Sequence, residues 1–212
     1  MTRPNVVLVK VIQFEIVLDK DYQPIMKYTE GHYYHAYNRG AHKKKIFLQR
    51  DNYLHLITLL AKYSSRYDVT VSAYCLMPNH YHLILKQNDS GSIGMFLKTT
   101  FNAYTQAINK RFGKSGTLFQ GQVRVKEIDS DSYCLQAIRY IHLNPCAARL
   151  VRKPEDWEFS DYREWIETRE SSWADVSLRD AYFKGSLDYR SFVEEYVDAK
   201  VPKELEDFLE AR

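Results

Sequence analysis

The stretch VTVSAYCLMPNHYHLILK, residues 69–86, decides the fold. Val69, Val71 and Ala73 alternate with polar residues, which is the period of a half-buried strand. Met77-Pro78-Asn79 supplies turn chemistry and His80 to Lys86 resumes the strand, so the segment reads as a β-hairpin. On its N-terminal side, Asp51 stands where it can cap a helix running to about Ser65, with Leu54, Ile57, Leu60 and Ala61 at helical spacing. Before that helix, the aromatic run His32 to Asn38 reads as a strand, turned by Arg39-Gly40. On the C-terminal side, Ser92 opens the most regular helix of the chain. Its apolar stripe is Ile93, Phe96, Leu97, Phe101, Tyr104 and Ile108, and Gly113 sits where a stop belongs. A Gly-containing loop, Lys114 to Gln122, leads to a fourth strand, Val123 to Lys126. Asp129 or Ser130 then caps a further helix that ends at Asn144-Pro145. The order from His32 to Lys126 is β-α-β-β-α-β. That is an α+β, ferredoxin-like split βαβ arrangement: an antiparallel sheet with both helices on one face and the other face open. The fold hosts many activities and selects none of them.

Around this unit the 212 residues divide into an N-terminal extension or added edge strand (1–30), a central domain expected to carry the chemistry (31–150) and an acidic helical extension (151–212). Apolar residues make up 45% and charged residues 27%, a globular balance able to bury a core. No apolar run approaches the ~20 residues of a membrane span; the longest, Val6 to Leu18, is broken by Lys10, Gln13 and Glu15. The N-terminus lacks a secretory pattern, and Cys75, Cys134 and Cys146 are too few and too scattered for a disulfide framework. A reducing cytoplasm follows as the expected compartment. The absence of a Gly-rich phosphate loop removes support for nucleotide-driven chemistry. The net charge of +3 conceals a split. Through Pro154 there are 22 Lys and Arg against 10 Asp and Glu, a balance of +12; from Glu155 onward there are 8 against 17, a balance of −9. A basic body of this kind suits a polyanion, nucleic acid above all. The basic residues expected at such a surface are Arg39, Lys43, Lys44, Lys45, Lys114, Arg124 and Lys126.

Two features could carry chemistry. His80 and His82 lie two apart on a strand, so both imidazoles face one side, as two ligands of one metal would; a pair of surface histidines has the same spacing. Tyr104, one of 17 tyrosines, lies on the inner stripe of the helix after the hairpin. It could pack as core, or it could aim its phenol at a metal held on the adjacent strand, where a polarised electrophile would make it a competent nucleophile. His142 with Cys146 could suggest zinc, but Pro145 and the lack of a second Cys pair favour packing at a helix end.

Four short segments in order give these residues a context: Tyr34-His35-Ala36-Tyr37-Asn38-Arg39-Gly40; Met77-Pro78-Asn79-His80-Tyr81-His82-Leu83-Ile84-Leu85; Ser115-Gly116-Thr117-Leu118-Phe119-Gln120-Gly121; and Tyr140-Ile141-His142-Leu143-Asn144-Pro145. With them the chain resembles the single-tyrosine transposases of the HUH superfamily, and within these the REP-associated tyrosine transposases of bacteria. The resemblance implies that His80 and His82 hold a divalent ion, Mg²⁺ or Mn²⁺, and that Tyr104 is the tyrosine that attacks a DNA phosphate. The result would be a 5′-phosphotyrosine link that needs no nucleotide cofactor. Relatives in the wider superfamily place a Gln or Asn one turn beyond the tyrosine. Here that position is Ile108, so Asn109 is the expected third ligand, with Gln106 and Gln120 as further candidates. The implied partner is a folded single strand of DNA with a repeat-associated hairpin, met in the bacterial cytoplasm on the nucleoid. One tyrosine per chain calls for a homodimer or two successive rounds to cut two strand ends. The alternative is a domesticated binding protein that keeps the fold and basic face and binds hairpin DNA or RNA without cutting it.

Overall fold

The structure, a computed structural model, describes residues 27–171 and 173–196. The expected N-terminal edge strand lies outside these residues, as does the end of the acidic extension from 197 on. The elements that build the site are β1 (Tyr33–Arg39), α1 (Arg50–Arg66), β2 (Val69–Met77), β3 (His80–Gln87), α2 (Ile93–Phe112), β4 (Arg124–Ile128) and α3 (Asp131–Ala147). Three short helices follow: α4 (Tyr162–Trp165), α5 (Ser177–Tyr182) and α6 (Ser186–Glu194). The strands form one antiparallel sheet in the order β2-β3-β1-β4, the ferredoxin-like arrangement read from the sequence. No helix among the described residues is long and apolar enough to cross a membrane.

Strand pleating sorts the sheet into two faces, because neighbouring side chains point opposite ways. Tyr34 and Ala36 of β1 and Tyr81, Leu83 and Leu85 of β3 point into a core shared with α1 and α2. The amphipathic stripe of α2 buries Ile93, Phe96, Leu97, Phe101, Tyr104 and Ile108 there. Each large apolar side chain so removed from water contributes about 1.5–3 kcal/mol. Ser92 caps α2 by accepting from the Met95 N–H, and Gly113 closes it at φ +60°, a left-handed conformation that glycine adopts without strain.

Four details depart from the sequence expectations. Helix α1 is capped by Gln49 and Asn52 in a reciprocal pair rather than by Asp51. Val69 and Val71 face α1 and α2, but Ala73 faces the other way, because a bulge inserts Ser72 between the pairs Val71–Leu85 and Ala73–Ile84 and reverses the parity of the rest of β2. The helix capped by Ser130 continues past Pro145 to Ala147. The fourth and largest departure concerns the second sheet face, expected to be open. Cys134, Leu135, Ile138 and Ile141 of α3 pack on Ala73, Cys75, Met77 and Ile84, and residues of α4 to α6 join this second core. The outer edge of β2 is covered as well: Leu76 N–H donates to the Phe159 carbonyl and Asp161 N–H to that of Tyr74.

Candidate active site

The parity that buries Tyr81, Leu83 and Leu85 against α2 sends His80 and His82 to the opposite face, beneath α3. Register then assembles their neighbours. Tyr37 stands opposite His82 and Arg39 opposite His80 across β1–β3, while Lys126 and Arg124 stand opposite His35 and Tyr37 across β1–β4. The His82 Nδ1 and His35 Nε2 atoms are hydrogen-bonded at 2.9 Å in a fully buried contact. Tyr37 stacks on His35 with ring centroids 4.7 Å apart, and the Lys126 ammonium lies 5.8 Å from the Tyr37 ring centre.

Helix α3 completes the group. Tyr140 and Asn144 are four residues apart, so both project from one side of the helix. The Tyr140 ring meets the His82 ring edge-on with centroids 6.4 Å apart. The Asn144 carboxamide hydrogen-bonds the His80 ring, whose Nδ1 is also 2.8 Å from the Asn79 Oδ1. His80 and His82 have ring centroids 5.2 Å apart at 86°.

Burial sets the protonation of these groups. It lowers the pKa of His80 to about 4, against a smaller raising effect of the Asn144 hydrogen bond. His82 is pushed well below its ordinary value by burial and then by the neighbouring His35 and His80. His35 falls to about 3 through burial and the Lys126 charge. All three imidazoles are therefore neutral near pH 7, the form in which a histidine can accept a metal. Nδ1 of His80 and of His82 is engaged by protein, which orients the rings so that Nε2 is the nitrogen a metal would take. Among the described residues no three His, Cys, Asp or Glu side chains form a group able to hold a metal ion, and the side chain beside the pair that could add a third donor is the amide of Asn144. Two neutral imidazoles and an amide oxygen would fit Mn²⁺, and less closely Mg²⁺.

The structure does not bring Tyr104 to this group. Tyr104 is fully buried on the α1–α2 side, its hydroxyl donates to the Ile46 carbonyl at 2.8 Å, and burial raises its pKa. The sheet stands between it and the histidines, and the residue of β3 that faces α2 is Tyr81, stacked on Phe101 at 4.2 Å. Asn109 is likewise on α2, with its amide donating to the Gly116 carbonyl at 2.9 Å. Of the basic residues, Arg39, Arg124 and Lys126 lie on the histidine face. Lys43, Lys44 and Lys45 form an exposed loop at its end, tied in by the Asn79 amide donating to the Lys43 carbonyl at 3.4 Å. Lys114 follows α2, its ammonium 5.8 Å from the Phe112 ring centre.

Tyr140, Asn144 and His35 are the members that sequence reasoning missed. A signal was present: the position one turn beyond Tyr104 is an isoleucine, whereas one turn beyond Tyr140 it is Asn144.

A family model described as "Transposase IS200 like" matches residues 28–144. The solved structure of a REP-associated tyrosine transposase bound to a REP hairpin superposes with a TM-score of 0.58 at 16% identity, covering 73% of this chain and 97% of that one. A putative transposase from Deinococcus radiodurans R1 aligns with a TM-score of 0.40 at 17% identity, covering 53% of this chain and 91% of that one. No curated protein matches the chain in sequence.

Proposed function

The chain belongs to the IS200-like transposase family, and from that premise we propose that it cleaves and rejoins single-stranded DNA beside a hairpin, with Tyr140 as the nucleophile. The observation that carries this reading is the convergence of Tyr140 and Asn144, from one side of α3, on His82 and His80 of β3. His80, His82 and Asn144 would hold the divalent ion. When bound, that ion polarises the scissile phosphate and offsets the charge that develops on it.

The chain's own residues do the rest. The Tyr140 phenol oxygen attacks phosphorus and its proton leaves to solvent. The bond from phosphorus to the 3′ oxygen breaks, that oxygen takes up a proton, and a 5′-phosphotyrosine remains. Attack by a 3′ hydroxyl reverses the step and joins strands, and because a phosphodiester-like bond is kept throughout, no nucleotide is consumed. His35 holds the His82 ring in orientation through Nδ1. Arg39, Arg124 and Lys126 contact backbone phosphates and set the strand's register across the site, without themselves choosing a sequence.

The test is to incubate the protein with hairpin-bearing single strands and Mn²⁺, isolate the denaturant-resistant protein–DNA adduct and sequence its nucleotidyl peptide. The expected peptide contains Tyr140. Tight hairpin binding with no adduct on any tested strand would favour a binding protein that does not cut.

A further inference from the structure

On the back of α3, between Tyr140 and Asn144 in sequence, lies His142, fully buried from solvent. Its Nδ1 is 2.6 Å from the Tyr189 hydroxyl of α6, and its Nε2 is 3.0 Å from the Asp161 Oδ1. Asp161 is also fully buried, and both of its carboxylate oxygens are engaged. Oδ1 accepts from the Tyr74 N–H of β2 at 2.8 Å, and Oδ2 accepts from the Trp165 indole at 3.1 Å. Its own N–H returns to the Tyr74 carbonyl. Burial raises the pKa of the Tyr189 phenol, whose hydroxyl holds the ring at Nδ1 while the Nε2–H donates to the acceptor-only Asp161 carboxylate.

Burying a carboxylate and an imidazole is costly, and an apolar residue at position 142 would fill the same space at less expense in desolvation. What the polar pair adds is direction. Residues 140 and 142 are about 200° apart around a helix. Fixing His142 to the edge strand through Asp161 therefore fixes the rotation of α3 that aims Tyr140 and Asn144 at the histidines. With side chains reaching about 5–6 Å from the helix axis, a roll of 10° moves their ends by about 1 Å. A misplacement of about 1 Å can cost about 100-fold in rate.

We propose that Asp161, acting through His142 and supported by Tyr189, is a positioning residue for the Tyr140–Asn144 side of the site. The segment beyond the family-matched residues 28–144 then completes the active site rather than merely stabilising the fold. This rests on Tyr140 being the nucleophile.

The experiment uses the full chain with Asp161→Asn, which keeps the shape but sets an amide N–H against one of the three donors. Three readouts are taken well below the melting temperature: adduct formation in a single turnover at saturating hairpin and Mn²⁺, hairpin Kd, and Mn²⁺ Kd without DNA. Adduct formation is expected to slow 10- to 100-fold and Mn²⁺ to bind 3- to 10-fold more weakly, with hairpin Kd within twofold of wild type. A purely structural contact would lower the melting temperature and leave the rate of the folded protein unchanged, and that result overturns the proposal. If Asp161→Asn fails to fold, Tyr189→Phe removes only the partner of Nδ1 and is expected to slow adduct formation 3- to 10-fold; a wild-type rate there overturns it too. A wild-type adduct that maps away from Tyr140, or none at all, overturns the premise along with the proposal. An adduct at Tyr140 formed equally fast by the variants overturns the proposal alone.

Discussion

Tyr104→Phe and Tyr140→Phe remove the same atom from two helices on opposite faces of one sheet, and the structure assigns them opposite consequences. At Tyr104 the hydroxyl is buried and donates to the Ile46 carbonyl at 2.8 Å, and Ile46 is itself fully buried. Deleting the donor costs a net hydrogen bond and leaves a desolvated carbonyl short of a partner, about 1–2 kcal/mol together. In a chain of this size each kcal/mol shifts the melting temperature by about 2–4 °C. A fall of about 2–8 °C is therefore expected for Tyr104→Phe, with adduct formation at 25 °C within twofold of wild type. Tyr140 is only partly buried, so Tyr140→Phe lowers the melting temperature less and abolishes the adduct. Calorimetry and a denaturing gel on the same three preparations settle the comparison. Loss of the adduct in folded Tyr104→Phe, with retention in Tyr140→Phe, would refute the assignment of faces on which the site is built.

Three further outcomes follow from the same geometry. His35→Leu removes the partner of His82 Nδ1 and is expected to weaken Mn²⁺ binding about 10- to 100-fold in the DNA-free protein, whereas His35→Gln retains an acceptor and recovers most of the affinity; equal Mn²⁺ titrations for wild type and His35→Leu would count against the role. Arg124→Ala and Lys126→Ala should each reduce the slope of log affinity against log salt by about 0.7–0.9 on a hairpin strand, read by anisotropy, and slopes equal to wild type would remove these residues from the phosphate contacts. In metal-free protein, His35 and His80 titrate at about 3 and about 4 when folded, lowered mainly by burial, against about 6.5 unfolded. The unfolded chain takes up protons that the native one refuses. Stability is therefore complete above about pH 6.5 and declines toward pH 4, by about 2 kcal/mol per imidazole at pH 5. Urea midpoints that coincide at pH 7.5 and pH 5 would contradict this.

Much of the sheet was legible because its determinants are local. The turn at Met77-Pro78-Asn79, the stripe of α2 between Ser92 and Gly113, and the β-α-β-β-α-β order of elements along the chain all follow from spacing and from the residues that start and stop elements. What stayed hidden depends on partners distant in sequence. The bulge at Ser72 reverses β2 only because one residue of β3 faces two, and nothing in the local alternation of Val69, Val71 and Ala73 announces it. The second core forms because α3 is apolar on the side that meets Ala73, Cys75 and Met77, residues the bulge had turned toward it. The buried network of His142, Asp161 and Tyr189 spans separations of 19 and 47 residues and leaves no pattern in the sequence.

The tyrosine is a different matter, because the information that separates Tyr104 from Tyr140 was present in the strand. Tyr81, Leu83 and Leu85 form the apolar set of β3, and an amphipathic helix must lay its stripe on an apolar set. Since α2 carries the longest such stripe, it belongs over Tyr81, and pleating then requires His80 and His82 to look away from it. A phenol on that stripe is excluded from the histidines by the same parity that makes it good core. On the function proposed above, the nucleophile then comes from a helix on the other face, on a side bearing polar groups at four-residue spacing. In α3, Tyr140 and Asn144 meet that condition, and their contacts with His82 and His80 are what it requires.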